Sequence, residues 1–427
     1  MTIQNIHDLF LKCSKVSIDT RKIEPDSFFV AINGERFDAN TFAKEALEKG
    51  ASYVIIDNQS YYIDNRTILV NDSLETLQAL AKFHRHYLKL PIIALTGSNG
   101  KTTTKELINV VLSKKFNTKA TNGNLNNHIG VPLTLLSFSK ETEIGIVEMG
   151  ANHQKEIEFL CEIAQPDYGY ITNFGKAHLE GFGGVEGVIK GKSEMYTYIK
   201  TNDKAVFVNV DDEIQNQKTI DFNRFTFSQK DKNVNVFIEN VTANPFVKIS
   251  TLSVEINSHL IGLYNANNIN AAITIGNHFE VATDDIKAAI ESYIPENNRS
   301  QLLTKGTNEI ILDAYNANPS SMKVALENFI QLNKKSKVVI IGDMYEIGEE
   351  SHFEHKAIVD FLNQNSDFEC HFVGNNFFAA SIQKENFHFY KTFEDLTQYL
   401  STVKLEHKII LIKGSRGMAL ERTLELI

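Results

Sequence analysis

Cysteine is scarce in this chain of 427 residues: Cys13, Cys161 and Cys370 stand alone and far apart. Three isolated thiols exclude a disulfide framework and a CxxC metal site, so a reducing compartment is expected. Positive charge is short as well. With 43 Lys and Arg against 53 Asp and Glu, the formal net charge is -10, and there is no basic excess to displace counterions from a polyanion. No nucleic-acid partner is expected, and any anionic ligand must be held by local groups. Long apolar runs are missing too. The stretch MTIQNIHDLFLKCSKVSIDTRK carries no apolar signal-peptide core, and runs such as VVIIG and IILI are only strand-sized. No membrane insertion and a cytoplasmic location are expected. Repeats, low-complexity tracts and long charged linkers are also absent.

What is there is a rhythm of short apolar runs and helical patterns, in a chain too long for one ordinary core. SFFVAI, SYVIID and TILV read as strands around a helix TFAKEALEKG, with Gly50 near its end. These make a small α/β domain over 1–88. A helix pattern from Ser73 to Leu88 then leads into PIIALTG, where a buried strand opens a central domain, 89–297. From about Lys204 to Ile261 the pattern turns to alternation, as in FVKIS and LSVEI, which predicts antiparallel strands added to a mainly parallel sheet. The βα rhythm returns in EIILD, KVVIIG, CHFVG and KIILIKG, giving a doubly wound, Rossmann-like domain over 298–427. The fold class is three-domain α/β.

The chemistry starts at Pro91–Glu106, PIIALTGSNGKTTTKE. Strand, glycine loop and helix follow in the order of a phosphate-binding loop, but the common G-x-x-x-x-G-K-[ST] pattern wants a glycine where Leu95 stands. Gly97 and Gly100, with Ser98 and Asn99 between them, let backbone N–H groups meet phosphate oxygens at a helix N-terminus. Lys101 would offset phosphate charge, and Thr102, followed by Thr103, would bring a hydroxyl to Mg2+. ATP or GTP is the expected ligand. A carboxylate for the metal is supplied by Glu148, at the end of the apolar run in EIGIVEMG. His178 and Lys192 follow in ITNFGKAHLEGFGG and KGKSEMY, although an isolated loop histidine or helical lysine is more often a solvated group. Asn124, Asn126 and Asn127 make GNLNNHIGVPLTLL a dense polar loop before a helix read as starting at Pro132. Such amides suit an uncharged, hydroxyl-rich ligand such as a sugar.

Together these residues resemble the Mur ligases, ATP-dependent amide-forming enzymes of peptidoglycan precursor synthesis, over nearly the whole chain. T-G-[ST]-x-G-K-T-[ST] is that family's own phosphate loop and needs no earlier glycine. DTRKIEPDSFFVAINGERFDANTF, GNLNNHIGVPLTLL and DAYNANPSSM resemble the branch that extends UDP-MurNAc-tripeptide with D-Ala-D-Ala. The D-N-P-R motif of the sister branch that adds a diamino acid is not present.

The resemblance implies the following roles. Lys101 and Thr102 bind the phosphates and Mg2+, with Glu148 and His178 holding two metal ions, and Lys192 is a carbamylated lysine supporting the second. Asn265 and Asn268 contact adenine, Asp313 the ribose, and Arg299 a phosphate. Asn316, Lys413, Ser415 and Arg416 guide the peptide or dipeptide, while Thr20 and Arg21 lie near the uridine nucleotide. Tyr264 departs from the histidine many relatives carry before the asparagine pair. A monomer is implied, with UDP on the first domain, ATP between the second and third, and closure excluding water from an acyl phosphate.

Overall fold

The computed structural model describes residues 1–34, 37–296 and 298–427. The expected boundary at Asn297 lies outside the described residues, as do Glu35 and Arg36 within the DTRK stretch.

Strands form where β-branched and aromatic residues run together, and they assemble into three sheets. The first is a parallel four-stranded sheet in chain order, β1 (Val16–Ser17), β2 (Ser27–Val30), β3 (Ala51–Ile56) and β4 (Thr67–Leu69). The helix Ser73–Leu88 that leaves it is capped by the Asp72 side chain, which accepts from the Glu75 N–H. It ends at Lys89 in the left-handed conformation, which satisfies the last carbonyls and turns the chain into the next strand.

That strand, β5 (Ile92–Thr96), is buried at all five positions and lies inside the second sheet. The further strands are β6 (Thr118–Ala120), β7 (Ile144–Glu148), β8 (Tyr168–Ile171), β9 (Ala205–Asn209), β10 (Asn223–Ser228), β11 (Val236–Ala243), β12 (Phe246–Thr251) and β13 (Val254–Ile261). Their spatial order is β13-β12-β11-β10-β9-β8-β5-β7-β6. β5 therefore has β8 on one side and β7 on the other, and Leu95 sits beside Glu148 in register. A strand-order reversal of this kind opens a crevice at the carboxyl ends of the strands. The helix Lys101–Leu112 covers the sheet with Leu107, Ile108, Val111 and Leu112 fully buried, where a Leu→Ala change costs about 2–5 kcal/mol.

The third sheet runs β14 (Gln301–Lys305), β15 (Asn308–Asp313), β19 (Ile409–Lys413), β16 (Lys337–Gly342), β17 (Glu369–Val373) and β18 (Phe387–Tyr390). All its pairings are parallel except β14 with β15. Among the described residues no helix is long and apolar enough to cross a membrane.

Two expectations need correction. Antiparallel pairing does not begin near Lys204, because β9, β10 and β11 pair in parallel and only β11-β12-β13 are antiparallel. Alternation reports that one face is buried and says nothing about a neighbour's direction. The helix expected to start at Pro132 instead covers Gly130–Leu136. The Asn127 carboxamide accepts from the Ile129 and Gly130 N–H groups, so the first turn forms before the proline.

Candidate active site

Leu95 explains the shortened loop: it is a fully buried strand residue, and β5 continues as strand to Thr96 where a longer loop would already have turned. Gly97 follows at φ +141°, and a Cβ there would lie 2.0 Å from Thr172 Oγ1. Gly100 precedes the helix at φ +81°, where a Cβ would lie 2.5 Å from Asn268 Oδ1. Both positions thus need glycine for space and for conformation. The loop is strapped to the segment after β8. Ser98 N–H donates to the Asn173 carbonyl (3.0 Å) and Ser98 Oγ to the Gly175 carbonyl (2.6 Å). Asn99 N–H donates to Asn173 Oδ1 (3.1 Å), and the Asn99 carbonyl accepts from Thr172 Oγ1 (2.6 Å).

The loop borders a cavity of about 790 Å³ between the second and third sheets. Lys101 lies in it, its Nζ donating to the Gly97 carbonyl at 2.7 Å. Burial pushes this ammonium below its usual pKa, Glu148 pulls it back up, and Arg299 lowers it further. Ser98, Asn99, Thr102 and Thr103 line the same wall. Glu148, at the end of β7, is 1 % exposed. Its Oε1 accepts from Asn126 Nδ2 at 2.7 Å, and among the described residues its buried Oε2 has no partner.

The opposite wall comes from the third sheet. Asp313 closes β15 and accepts from Lys413 Nζ (2.6 Å) and Ser300 N–H (3.0 Å). The Arg299 guanidinium stacks on Tyr315, 3.7 Å from the ring centroid, and among the described residues its buried Nε has no partner. Tyr264 shares a 2.8 Å hydrogen bond with Ser300, and burial pushes its phenol pKa up. Asn318 Nδ2 donates to Asn99 Oδ1 at 2.7 Å, joining the third sheet's loop to the phosphate loop.

The remaining candidates fall in varied places. Asn124, Asn127, Asn316, Asn265 and Asn268 line the cavity, but the last two are tied to each other at 2.8 Å and to Thr104 Oγ1 and the Ile261 carbonyl, bracing the loop. His178 also lines the cavity, at φ +54°. Its Nδ1 donates to Glu346 of the third-sheet region, which holds that carboxyl below the usual carboxylate range. His178 and Glu148 do not form a preassembled ligand set: among the described residues no group of three His, Cys, Asp or Glu could hold a metal ion.

Lys192 is fully buried behind the cavity wall, donating to the Ala151 carbonyl at 3.1 Å and lying 5.0 Å from the Phe182 ring centroid. Burial holds its amine well below the ordinary lysine pKa, and Lys101 adds to the effect. Ser415 is buried against Ala317 and Tyr345, while Arg416 is exposed and paired with Glu421. Thr20 and Arg21 lie away from the cavity, with Arg21 85 % exposed and paired with Asp19. Sequence reading missed Tyr315 as the platform for Arg299, and Glu346 as the partner of His178. The partners lie 16 and 168 residues apart, and no motif links them.

The fold and site define a nucleotide-dependent α/β enzyme with its phosphate loop facing a second, doubly wound sheet. The chain matches the Mur ligase family over residues 12–85 (catalytic domain), 95–276 (middle domain) and 298–416 (glutamate ligase domain). It belongs to the Mur ligase family.

Within that family it is 33% identical to the "UDP-N-acetylmuramoyl-tripeptide--D-alanyl-D-alanine ligase" of Bacillus subtilis, covering 95% of this chain and 91% of the relative. It is 32% identical to the protein of the same name from Escherichia coli, over 96% and 93%. Among solved structures it is similar to MurF from Acinetobacter baumannii, with a TM-score of 0.87, 29% identity and coverage of 99% and 97%. MurF ligase from Thermotoga maritima in complex with ADP gives a TM-score of 0.84, 26% identity and coverage of 98% and 97%.

Proposed function

We infer that this chain uses ATP to join D-alanyl-D-alanine to UDP-N-acetylmuramoyl-tripeptide, as the names of its relatives describe. One observation carries the chemistry: Glu148 presents an unpartnered buried carboxylate oxygen in the cavity that also holds Lys101 and the phosphate loop. The small-molecule substrates react in two steps. A carboxylate oxygen of the tripeptide attacks the γ-phosphorus of ATP, forming a C–O–P bond as ADP leaves. The neutral amine of the dipeptide then attacks the acyl carbon, and phosphate departs with the oxygen it gained while the amine loses a proton. Two anions must approach each other in the first step, and positive charge aimed at the transferring group offsets that repulsion.

Residues present fit Mg2+, which commonly takes one or two carboxylates together with phosphate oxygens and water. Glu148 and the Thr102 hydroxyl would hold it, and when bound it supplies positive charge at the β- and γ-phosphates. Lys101 would exchange its Gly97 carbonyl partner for phosphate oxygens, and Arg299, held flat by Tyr315, meets the nucleotide from the other wall. Asp313 sits where a ribose hydroxyl can donate to it. Asn265 and Asn268 brace the loop and would lie beside the base. Residues 1–88 would take the uridine nucleotide, ATP would lie between 89–297 and 298–427, and the third domain would also guide the dipeptide.

The carbamate reading of Lys192 rests on burial, because only a neutral amine attacks CO2. N–C bond formation with loss of one proton would turn a buried amine into an anion near the cavity. A second metal ion at His178 would be taken by Nε2, with the Nδ1 bond to Glu346 orienting the ring.

The test is phosphate release from ATP with the UDP-tripeptide, with and without D-Ala-D-Ala, with the product weighed by mass spectrometry. Release requiring both substrates and a pentapeptide product supports the ligase. Release indifferent to the dipeptide contradicts it.

A further inference from the structure

Asn126 was expected to meet the sugar-peptide substrate, yet its carboxamide is turned inward. Nδ2 donates to Glu148 Oε1 at 2.7 Å, and the Asn126 backbone carbonyl accepts from the Gly150 N–H at 2.8 Å. The fit is close: a Cβ at Gly150 would lie 2.8 Å from Asn126 Oδ1. The backbone that carries Glu148 is anchored as well. Glu148 N–H donates to Thr121 Oγ1 at 2.9 Å, and the Thr121 carbonyl accepts from the fully buried Lys105 Nζ at 2.6 Å. One carboxylate oxygen is therefore occupied, and Oε2 is the one left without a partner.

We propose that Asn126 is a positioning residue for the cation that accompanies the nucleotide, fixing the Glu148 carboxylate so that Oε2 alone is presented to it. The proposal rests on the nucleotide reading above and deepens it. A carboxylate free to rotate would divide its time among orientations, and groups that orient a metal ligand typically contribute about 10–100-fold to metal affinity. The same contact links two events. Asn126 belongs to the loop Asn122–Ile129, which lines the cavity and is tied at His128 to Gln78 of the helix leaving the first sheet. Ordering of that loop by a bound substrate would thereby tighten the cation site.

The experiment is Mn2+ binding by electron paramagnetic resonance, on the full chain with ADP and without turnover. N126A should weaken Mn2+ binding about tenfold. E148Q should weaken it further, and adding N126A to E148Q should change nothing more, because Asn126 acts through that carboxylate. N126S, whose hydroxyl is too short to reach Oε1, should behave as N126A does and replaces it if N126A does not fold. Unchanged Mn2+ affinity in a folded N126A or N126S, or an additional loss on top of E148Q, overturns the proposal. A raised KM for the UDP-tripeptide with unchanged Mn2+ affinity also overturns it and makes Asn126 a plain substrate contact. If the wild-type chain binds no Mn2+ with ADP, the nucleotide-metal reading itself has failed.

Discussion

The phosphate loop is expected to hold ATP and the Thr20–Arg21 segment to lie near the uridine nucleotide, and they are built in opposite ways. In the loop, Ser98 and Asn99 are hydrogen-bonded to Thr172, Asn173 and Gly175, while Gly97 and Gly100 lie close against Thr172 and Asn268. Arg21 instead stands 85 % exposed and pairs with Asp19, whose pKa the guanidinium hydrogen bond lowers to about 2. A local pair of this kind is worth little in water. The difference teaches where each ligand's binding energy goes. The loop is organised before ATP arrives, so contact energy there is available for the reacting phosphoryl group. On the proposed reading, a ligand at Arg21 would have to draw an exposed side chain away from Asp19, and a site of modest affinity is the expectation.

Lys101→Ala should be the most damaging change, lowering turnover by about 100- to 1,000-fold as loss of an oriented charge typically does, with the melting temperature nearly unchanged. Steady-state phosphate release checks it, and near-normal turnover would remove the loop from the chemistry. Gly97→Ala should be next, abolishing detectable ADP binding by calorimetry, because its Cβ meets Thr172 Oγ1 and the backbone nitrogens of Thr172 and Asn173. If G97A binds ADP normally, the loop is less rigid than its contacts require.

Tyr315→Ala should raise the KM for ATP about fivefold, near the 1 kcal/mol of a cation–π contact, whereas Tyr315→Phe keeps the ring and should change little. Arg21→Ala should be smallest: about a threefold rise in KM for the UDP-tripeptide, the scale of an exposed charge contact, and no shift in ATP kinetics. A tenfold or larger effect would mean that Arg21 is reorganised into a built site on binding, and the comparison would fail.

Softness at Arg21 is not softness of its whole domain. His7 and His84 share a buried 3.0 Å hydrogen bond among Phe10, Phe83 and Tyr87. Burial, with His84 adding, lowers the His7 pKa from 6.5 to about 4. The folded chain therefore resists a proton that the unfolded chain accepts below pH 6.5. Stability should fall as the pH drops from 6.5 towards 4, by at most about 1.4 kcal/mol per pH unit from this group. Chemical denaturation of the wild type and His7→Phe at pH 7 and pH 5 reads it directly, the variant losing less.

Much of this was legible in the chain. The helix Ser73–Leu88 could be read because its cap, period and end coincide, and Glu148 because an acid closing an apolar strand beside a phosphate loop has few other uses. β14 and β18 escaped notice: QLLTK and FHFY are short edge segments with mixed burial. The Asn126–Glu148 bond spans 22 residues and depends on β7 lying between β5 and β6, and the His178–Glu346 contact spans two sheets. Periodicity reports which face of a segment is buried. It carries no information about which distant side chain lies opposite.

The most direct test of the central claim follows an oxygen atom. Tripeptide substrate carrying 18O in its terminal carboxylate is turned over with ATP and D-Ala-D-Ala, and the released phosphate is weighed. Transfer through an acyl phosphate predicts one 18O in the phosphate for each peptide bond made, and phosphate free of 18O, with labelled water as the other product, would contradict the account.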